Sequence, residues 1–122
     1  MDQRQPLPLD QRTRMFAKAI RAFVRQLPPT RITYDDCAQL LRASGSVGAN
    51  YIEAVDAESK KDFLHRIRIC RKEAKESLYW LDLLHDNIAP DQQKRCAELM
   101  NECEQLARIF TAIAKTTESR LR

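Results

Sequence analysis

The chain has 122 residues, enough for one domain, of which 43% are hydrophobic and 31% are charged. This composition excludes a disordered chain, and two glycines are too few for the many tight turns of a β-sandwich or barrel. The net charge of +4 is unevenly distributed, because residues 1–27 and 60–75 are basic whereas residues 28–57 and 76–91 are acidic. We therefore expect a few long helices with segregated surface charge.

The apolar runs are too short to cross a bilayer, and the N-terminal residues lack the apolar centre of a signal peptide. These features predict a cytoplasmic protein with no membrane partner. The four cysteines include no C-x-x-C pair, and neither histidine lies at zinc-ligand spacing from two of them. We expect reduced, buried thiols at Cys37, Cys70, Cys96 and Cys103, and neither a metal site nor a cofactor.

Residues 1–9 are polar and interrupted by proline, which predicts a flexible arm before a single domain over residues 10–122. The first helix is expected at about 11–26, with Asp10 as its N-cap. It ends before two consecutive prolines, because proline disfavours helical geometry in the residue that precedes it.

A second helix is expected from near Thr30 or Thr33 to about Val55, followed by a third of about 29 residues that ends near Ile88. Apolar residues recur along the third helix at alternating steps of four and three, which is the narrow seam of bundle packing. The fourth helix, which begins near Pro90, repeats this pattern. Four helices with short connections predict an all-α fold, an antiparallel up-down-up-down four-helix bundle.

Both glycines, Gly45 and Gly48, lie inside the second helix, where each costs about 1 kcal/mol relative to alanine. Together with Ser44 and Ala49, they form a stripe of small residues, which favours the close approach of another helix. A flexible hinge is the alternative, which the long flanking helices disfavour.

The stretches QLLRASGSVGANYIEA (39–54) and SKKDFLHRIRICRKEAKESLYWLDLL (59–84) resemble the four-helix bundle proteins encoded in intervening sequences of bacterial 23S ribosomal RNA genes. The family pattern R-A-x-x-S-I-x-x-N-I-x-E-G is matched except at its last glycine, where this chain has Ala54, and at its two isoleucines, where it has Val47 and Tyr51, with Ile52 one residue later. The residues carried over are Arg42, Ala43, Ser46, Val47, Asn50, Ile52 and Glu53, with Phe63, Glu76 and Trp80 in the second stretch.

The resemblance implies a bundle with no settled catalytic chemistry. Related accessory proteins of diversity-generating retroelements assemble as pentameric rings whose basic surface engages nucleic acid and a reverse transcriptase. By this resemblance, the expected partners are further copies of the chain, RNA or DNA, and a reverse transcriptase.

A row of polar side chains lies beside the apolar seam of the second helix, and acidic residues of the third helix are its candidate partners. The predicted polar network comprises Arg42, Ser46, Asn50, Glu53, Glu73 and Glu76. Paired carboxylates also suggest acid–base or di-iron chemistry, but neither histidine follows a glutamate at Glu-x-x-His spacing. A structural network is favoured over a catalytic site.

Basic residues form ordered stripes on the first and third helices, at steps of three and four that gather them on one side of each helix. The candidate nucleic-acid-binding residues are Arg14, Lys18, Arg21, Arg25, Lys61, Arg68, Arg71, Lys72 and Lys75. A merely solvated face is the alternative for each stripe. Aromatic residues do not interleave with the stripes, so we expect any binding to be driven by charge and shape.

The sequence contains no glycine-rich phosphate loop, nucleophile elbow or metalloprotease motif. We therefore expect a non-enzymatic bundle that self-assembles and presents a basic surface to RNA or DNA. The alternative is a structural or adaptor protein that binds another protein.

Overall fold

The computed structural model describes residues 7–121, which form four α-helices and, within that range, no β-strand. The helices are α1 (Leu9–Arg25), α2 (Arg31–Val55), α3 (Lys60–His85) and α4 (Pro90–Leu121). Within the described residues, each helix packs closely against two others in the cyclic order α1, α2, α3, α4. The diagonal helices α2 and α4 meet through side chains, with the rings of Tyr51 and Phe110 6.2 Å apart. The predicted all-α fold, a four-helix bundle, is confirmed.

Two of the helix starts are fixed by hydroxyl side chains. The Thr30 hydroxyl accepts a hydrogen bond from the Thr33 backbone N–H (3.1 Å), and the Thr33 hydroxyl accepts one from the Thr30 N–H (3.2 Å). This reciprocal capping box satisfies donors that a helix start otherwise leaves unpaired. At α3, the Ser59 hydroxyl accepts from the Asp62 N–H at 3.0 Å.

The predicted start of α1 is wrong. The helix begins at Leu9, with Pro8 as its N-cap, so Asp10 lies inside the first turn instead of capping it. A carboxylate is favourable there because it faces the positive end of the helix dipole. Of the predicted arm, residues 1–6 lie outside the described residues, and only Leu7 and Pro8 precede the helix.

The predicted end of α3 is also wrong, because the helix stops at His85 instead of near Ile88. The Asn87 N–H bonds to the Leu84 carbonyl (2.9 Å), a tight turn in place of a further α-helical turn. Ile88 still packs against the core from this connection. The apolar pattern of α3 therefore continues to Ile88 because this residue is buried against the core, and not because the backbone is still helical there.

The core lies along the facing seams of the helices, and α3 contributes most to it because it packs extensively on both α2 and α4. At the start of α3, Leu64 is buried and the predicted seam residue Phe63 is only half-buried. The fully enclosed large side chains include Ile20, Leu40, Ile67, Leu81, Leu84, Leu106 and Phe110.

The glycines of α2 lie where α1 crosses it. A Cβ atom at Gly48 would stand 3.1 Å from the Thr13 hydroxyl oxygen and 3.7 Å from the Thr13 backbone carbonyl carbon. At Gly45 the neighbour is the end of the Arg21 side chain, 3.0 Å away. Gly48 therefore allows two helix backbones to approach closely, and it lies within a continuous helix that has no hinge.

Candidate nucleic-acid interface

An open depression lies on the outer face of α3, next to the edge of α2. Its volume is about 580 Å³, within the range of about 300–1,000 Å³ typical of small-ligand sites. Five basic side chains and one carboxylate line it, together with an amide and two aromatic rings. The lining residues are Gln39, Arg42, Arg68, Arg71, Lys72, Lys75, Glu76, Tyr79 and Trp80.

Arg42 joins α2 to α3 at the rim of the depression. Its guanidinium donates to Glu76 Oε2 at 2.6 Å and to Glu73 Oε2 at 3.0 Å, and Glu73 is only 4% exposed. The hydrogen bond to Glu76 is the main cause that raises the pKa of Arg42, with Glu73 adding to it. The positive charge of Arg42 therefore compensates part of the negative charge of the two carboxylates, which would otherwise repel an anion here.

Three of the lining cations have no acidic partner among residues 7–121. Arg71, Lys72 and Lys75 form no ion pair with any residue in the range 7–121. By contrast, Arg68 is paired with Glu118 of α4 at 2.7 Å. Three basic side chains on one helix face are thus available to an external anion.

Aromatic residues do not interleave with the basic stripe in the sequence, but two of them lie directly beside it in the structure. Tyr79 and Trp80 line the same depression as the three unpaired cations, with their ring centroids 5.0 Å apart and their planes at 75°. The signal was present in the sequence, because the stripe that includes Lys72 and Lys75 reaches Tyr79 after one further step of four.

The α1 stripe lies in a second groove, on the other side of α2. Arg14, Lys18 and Arg21 line this groove with the small residues of α2, and Arg21 also donates to the Leu41 carbonyl at 3.3 Å. Two predicted residues, Arg25 and Lys61, are exposed but lie outside both grooves. The two basic sets therefore flank α2 instead of forming one continuous patch.

The predicted polar network divides into two clusters. Besides the Arg42 cluster, the Asn50 amide donates to the Ser46 hydroxyl (3.1 Å) and accepts from Arg66 of α3 (3.1 Å). The sequence did not indicate that Arg66 belongs to this network, because its contact with Asn50 results from the packing of α3 on α2 and not from a sequence motif. Glu53 is exposed and belongs to neither cluster.

The thiols belong to the core and not to the interface. Cys70, Cys96 and Cys103 are fully buried, and burial raises the pKa of Cys70 to about 12 and that of Cys96 to about 11. Cys37 is half-buried, and burial, followed by the charge of Asp36, raises its pKa. Across the described residues, no group of three or more histidine, cysteine or acidic side chains is placed to hold a metal ion.

The fold and this surface define a class of protein, a small four-helix bundle with basic outer grooves. Residues 6–112 match the family described as 23S rRNA-intervening sequence protein, and the chain belongs to that family. The further resemblance to retroelement accessory proteins stays a prediction.

One solved structure similar to this chain is a protein of unknown function from the S23 ribosomal protein family of Bacteroides thetaiotaomicron. It is 27% identical, with a TM-score of 0.73, and the match covers 88% of this chain and 99% of that one. No curated protein matches the chain. None of the helices in residues 7–121 is long and apolar enough to span a membrane.

Proposed function

We propose that this protein binds nucleic acid through the phosphate backbone, with the α2–α3 depression as the principal contact. The observation that carries the proposal is a set of three cations on one face of α3 that have no acidic partner within residues 7–121: Arg71, Lys72 and Lys75. Phosphates neutralised by such side chains release condensed counterions, which supplies a sequence-independent driving force. Binding, and not a chemical reaction, is the activity proposed for this surface.

Charge reversal tests this proposal. Replacing Arg71, Lys72 and Lys75 by glutamate should weaken binding to unrelated RNA and DNA sequences alike, because phosphate contacts carry no sequence information. Helicity should be retained, since none of the three side chains is buried. Circular dichroism checks the fold, and fluorescence anisotropy of a labelled oligonucleotide checks the affinity.

Helix α4 provides a matched control. Lys94, Arg108 and Lys115 are exposed, form no ion pair within residues 7–121, and lie outside the depression. Reversing these three changes the net charge by the same amount and should weaken binding much less. Equal losses in both triple variants would show that only the net charge matters, and the proposed site would be wrong.

A second reversal, of Arg14, Lys18, Arg21 and Arg25, asks whether the α1–α2 groove contributes. Partial weakening would place α1 at the edge of the same nucleic acid. If the wild-type protein binds no nucleic acid even at low salt, the alternative adaptor function is favoured, with an acidic protein as the partner of the basic grooves.

We also propose that the chain self-associates through the end of the bundle where α1 meets α2. A mainly apolar groove of about 270 Å³ lies there, lined by residues that include Leu27, Pro28 and Leu41. Tyr34, which lines this groove, is 70% exposed, and Ile32, two residues earlier in the chain, is 65% exposed, so this end leaves large apolar side chains in water. By resemblance to the pentameric accessory proteins, five copies are expected.

Light scattering measures this assembly directly. We predict a mass that is a multiple of the 14.2 kDa chain, about five times for a pentamer, and Ile32→Glu with Tyr34→Glu should reduce it. Both positions are exposed, so the monomer fold should be retained. A wild-type mass of about 14 kDa at micromolar concentration would contradict self-association.

A further inference from the structure

We infer that the α2–α3 depression takes a single-stranded segment of nucleic acid and stacks one unpaired base on Tyr79. The inference rests on the proposed function, because the same cations would hold the phosphates on either side of that base. It adds a class of ligand, the single strand, that phosphate binding alone does not select.

Tyr79 has the exposure that a stacking platform requires. The residue is 55% exposed on the outer face of α3, whereas its neighbour Trp80 is half-buried and packs against the core. The nearly perpendicular contact between the rings, at 75°, braces the tyrosine against a fixed indole. A large aromatic surface is thus held in place and left in contact with water.

The cations lie at the right spacing beside this ring. Lys72, Lys75 and Tyr79 follow one another at steps of three and four, so they share one face of the helix. With a rise of 1.5 Å per residue, Lys75 and Tyr79 are about 6 Å apart along the helix axis. One nucleotide spans such a distance between its base and its phosphate.

The pairing of aromatic and basic side chains favours a single strand over a duplex. In a duplex, the base faces are covered by neighbouring bases, so the Tyr79 ring would find only sugar and phosphate. In a single strand, each base presents a free face, and base–aromatic stacking adds to the phosphate contacts without selecting a sequence. An acidic protein would satisfy the cations but would not require the ring.

Trp80 offers a direct signal, since it is the only tryptophan of the chain and contacts Tyr79. Titration with oligothymidine at low salt should quench its fluorescence as a base enters the depression. Inorganic polyphosphate, which has the charge but no base, should bind with little quenching. Equal quenching by both probes would overturn the inference.

Substitution of the ring gives the affinity test. Tyr79→Ala should weaken oligothymidine binding by about 5- to 150-fold, the range expected for one stacked base, and leave polyphosphate binding unchanged. Tyr79→Phe should bind as the wild type does, since it keeps the ring. The control Met15→Ala removes a similarly exposed large side chain, 54% against 55%, outside the depression and should have no effect on the affinity.

The outcomes separate this inference from the proposed function. If duplex and single strand bind equally, and Tyr79→Ala changes neither, stacking is excluded while salt-dependent phosphate binding stands. If neither form binds at low salt, both proposals fail. A preference for the single strand that disappears in Tyr79→Ala and survives in Tyr79→Phe supports the inference.

Discussion

At the scale of single residues, the two glycines of α2 face different neighbours and should respond differently to substitution. Gly48→Leu should destabilise the protein by about 1–3 kcal/mol, because a branched side chain cannot enter the contact with Thr13 without moving α1. Gly45→Ala should stabilise it by up to about 1 kcal/mol through helix propensity, because only the flexible end of Arg21 must shift. Denaturant unfolding measures both, and a Gly48→Leu variant more stable than the wild type would contradict the close approach.

The buried thiols make stability depend on alkaline pH. Burial raises the pKa of Cys96 from 9.0 to about 11, so the folded state keeps a proton that the unfolded state releases. This contribution is fully present below pH 9 and is lost as the pH rises through about 11. The free energy of unfolding should therefore fall over this window in the wild type and less steeply in Cys96→Ala. Identical pH profiles for the two proteins would show that burial does not raise the pKa of the Cys96 thiol.

At the scale of helices, α1 is the least firmly held. It packs less extensively on its neighbours than α3 does, and a two-pronged ion pair fastens it to α4, with Arg12 donating to Glu102 at 2.7 and 2.9 Å. We predict that α1 amides exchange with solvent faster than those of α3, and that Arg12→Ala increases this difference. Hydrogen exchange followed by mass spectrometry checks this, and uniform protection of the two helices would contradict it.

Helix boundaries show which parts of the fold the sequence specifies locally. The start of α2 is readable because Thr30 and Thr33 together supply the whole capping box within four residues. The starting residue of α1 and the end of α3 are not, because Leu9 and Ile88 are positioned by packing on distant residues. Periodicity reports burial, and burial continues past the point where the helical backbone stops.

The candidate site is likewise predictable from the sequence only in part. Spacing alone was enough to gather the basic residues of α3 on one face, and it named Arg42, Glu73 and Glu76 as members of one polar network, in which Arg42 does pair with both acids. Which cations remain unpaired was not predictable, since Arg68 meets Glu118 only because α4 packs alongside α3. The role of Arg66 likewise depends on where Asn50 of α2 faces it.

At the scale of the whole molecule, the charges are arranged around α2, with one basic groove on each side. On the α3 side, three cations have no acidic partner within residues 7–121. On the α1 side, Arg21 is already bonded to a backbone carbonyl of α2. We therefore propose that the main contact with nucleic acid lies on α3. If the chain also self-associates, copies of the depression would lie on one assembly and bind a single nucleic acid with increased avidity.

The salt dependence of binding tests this central claim most directly. We predict that the logarithm of the affinity for a fixed oligonucleotide falls linearly with the logarithm of the salt concentration, by about 0.7–0.9 for each phosphate contact. Replacing Arg71, Lys72 and Lys75 by glutamate should reduce the slope by about two to three, whereas reversing Lys94, Arg108 and Lys115 of α4 should leave it nearly unchanged. A slope that is the same for the wild type and the α3 variant would contradict phosphate binding in the depression.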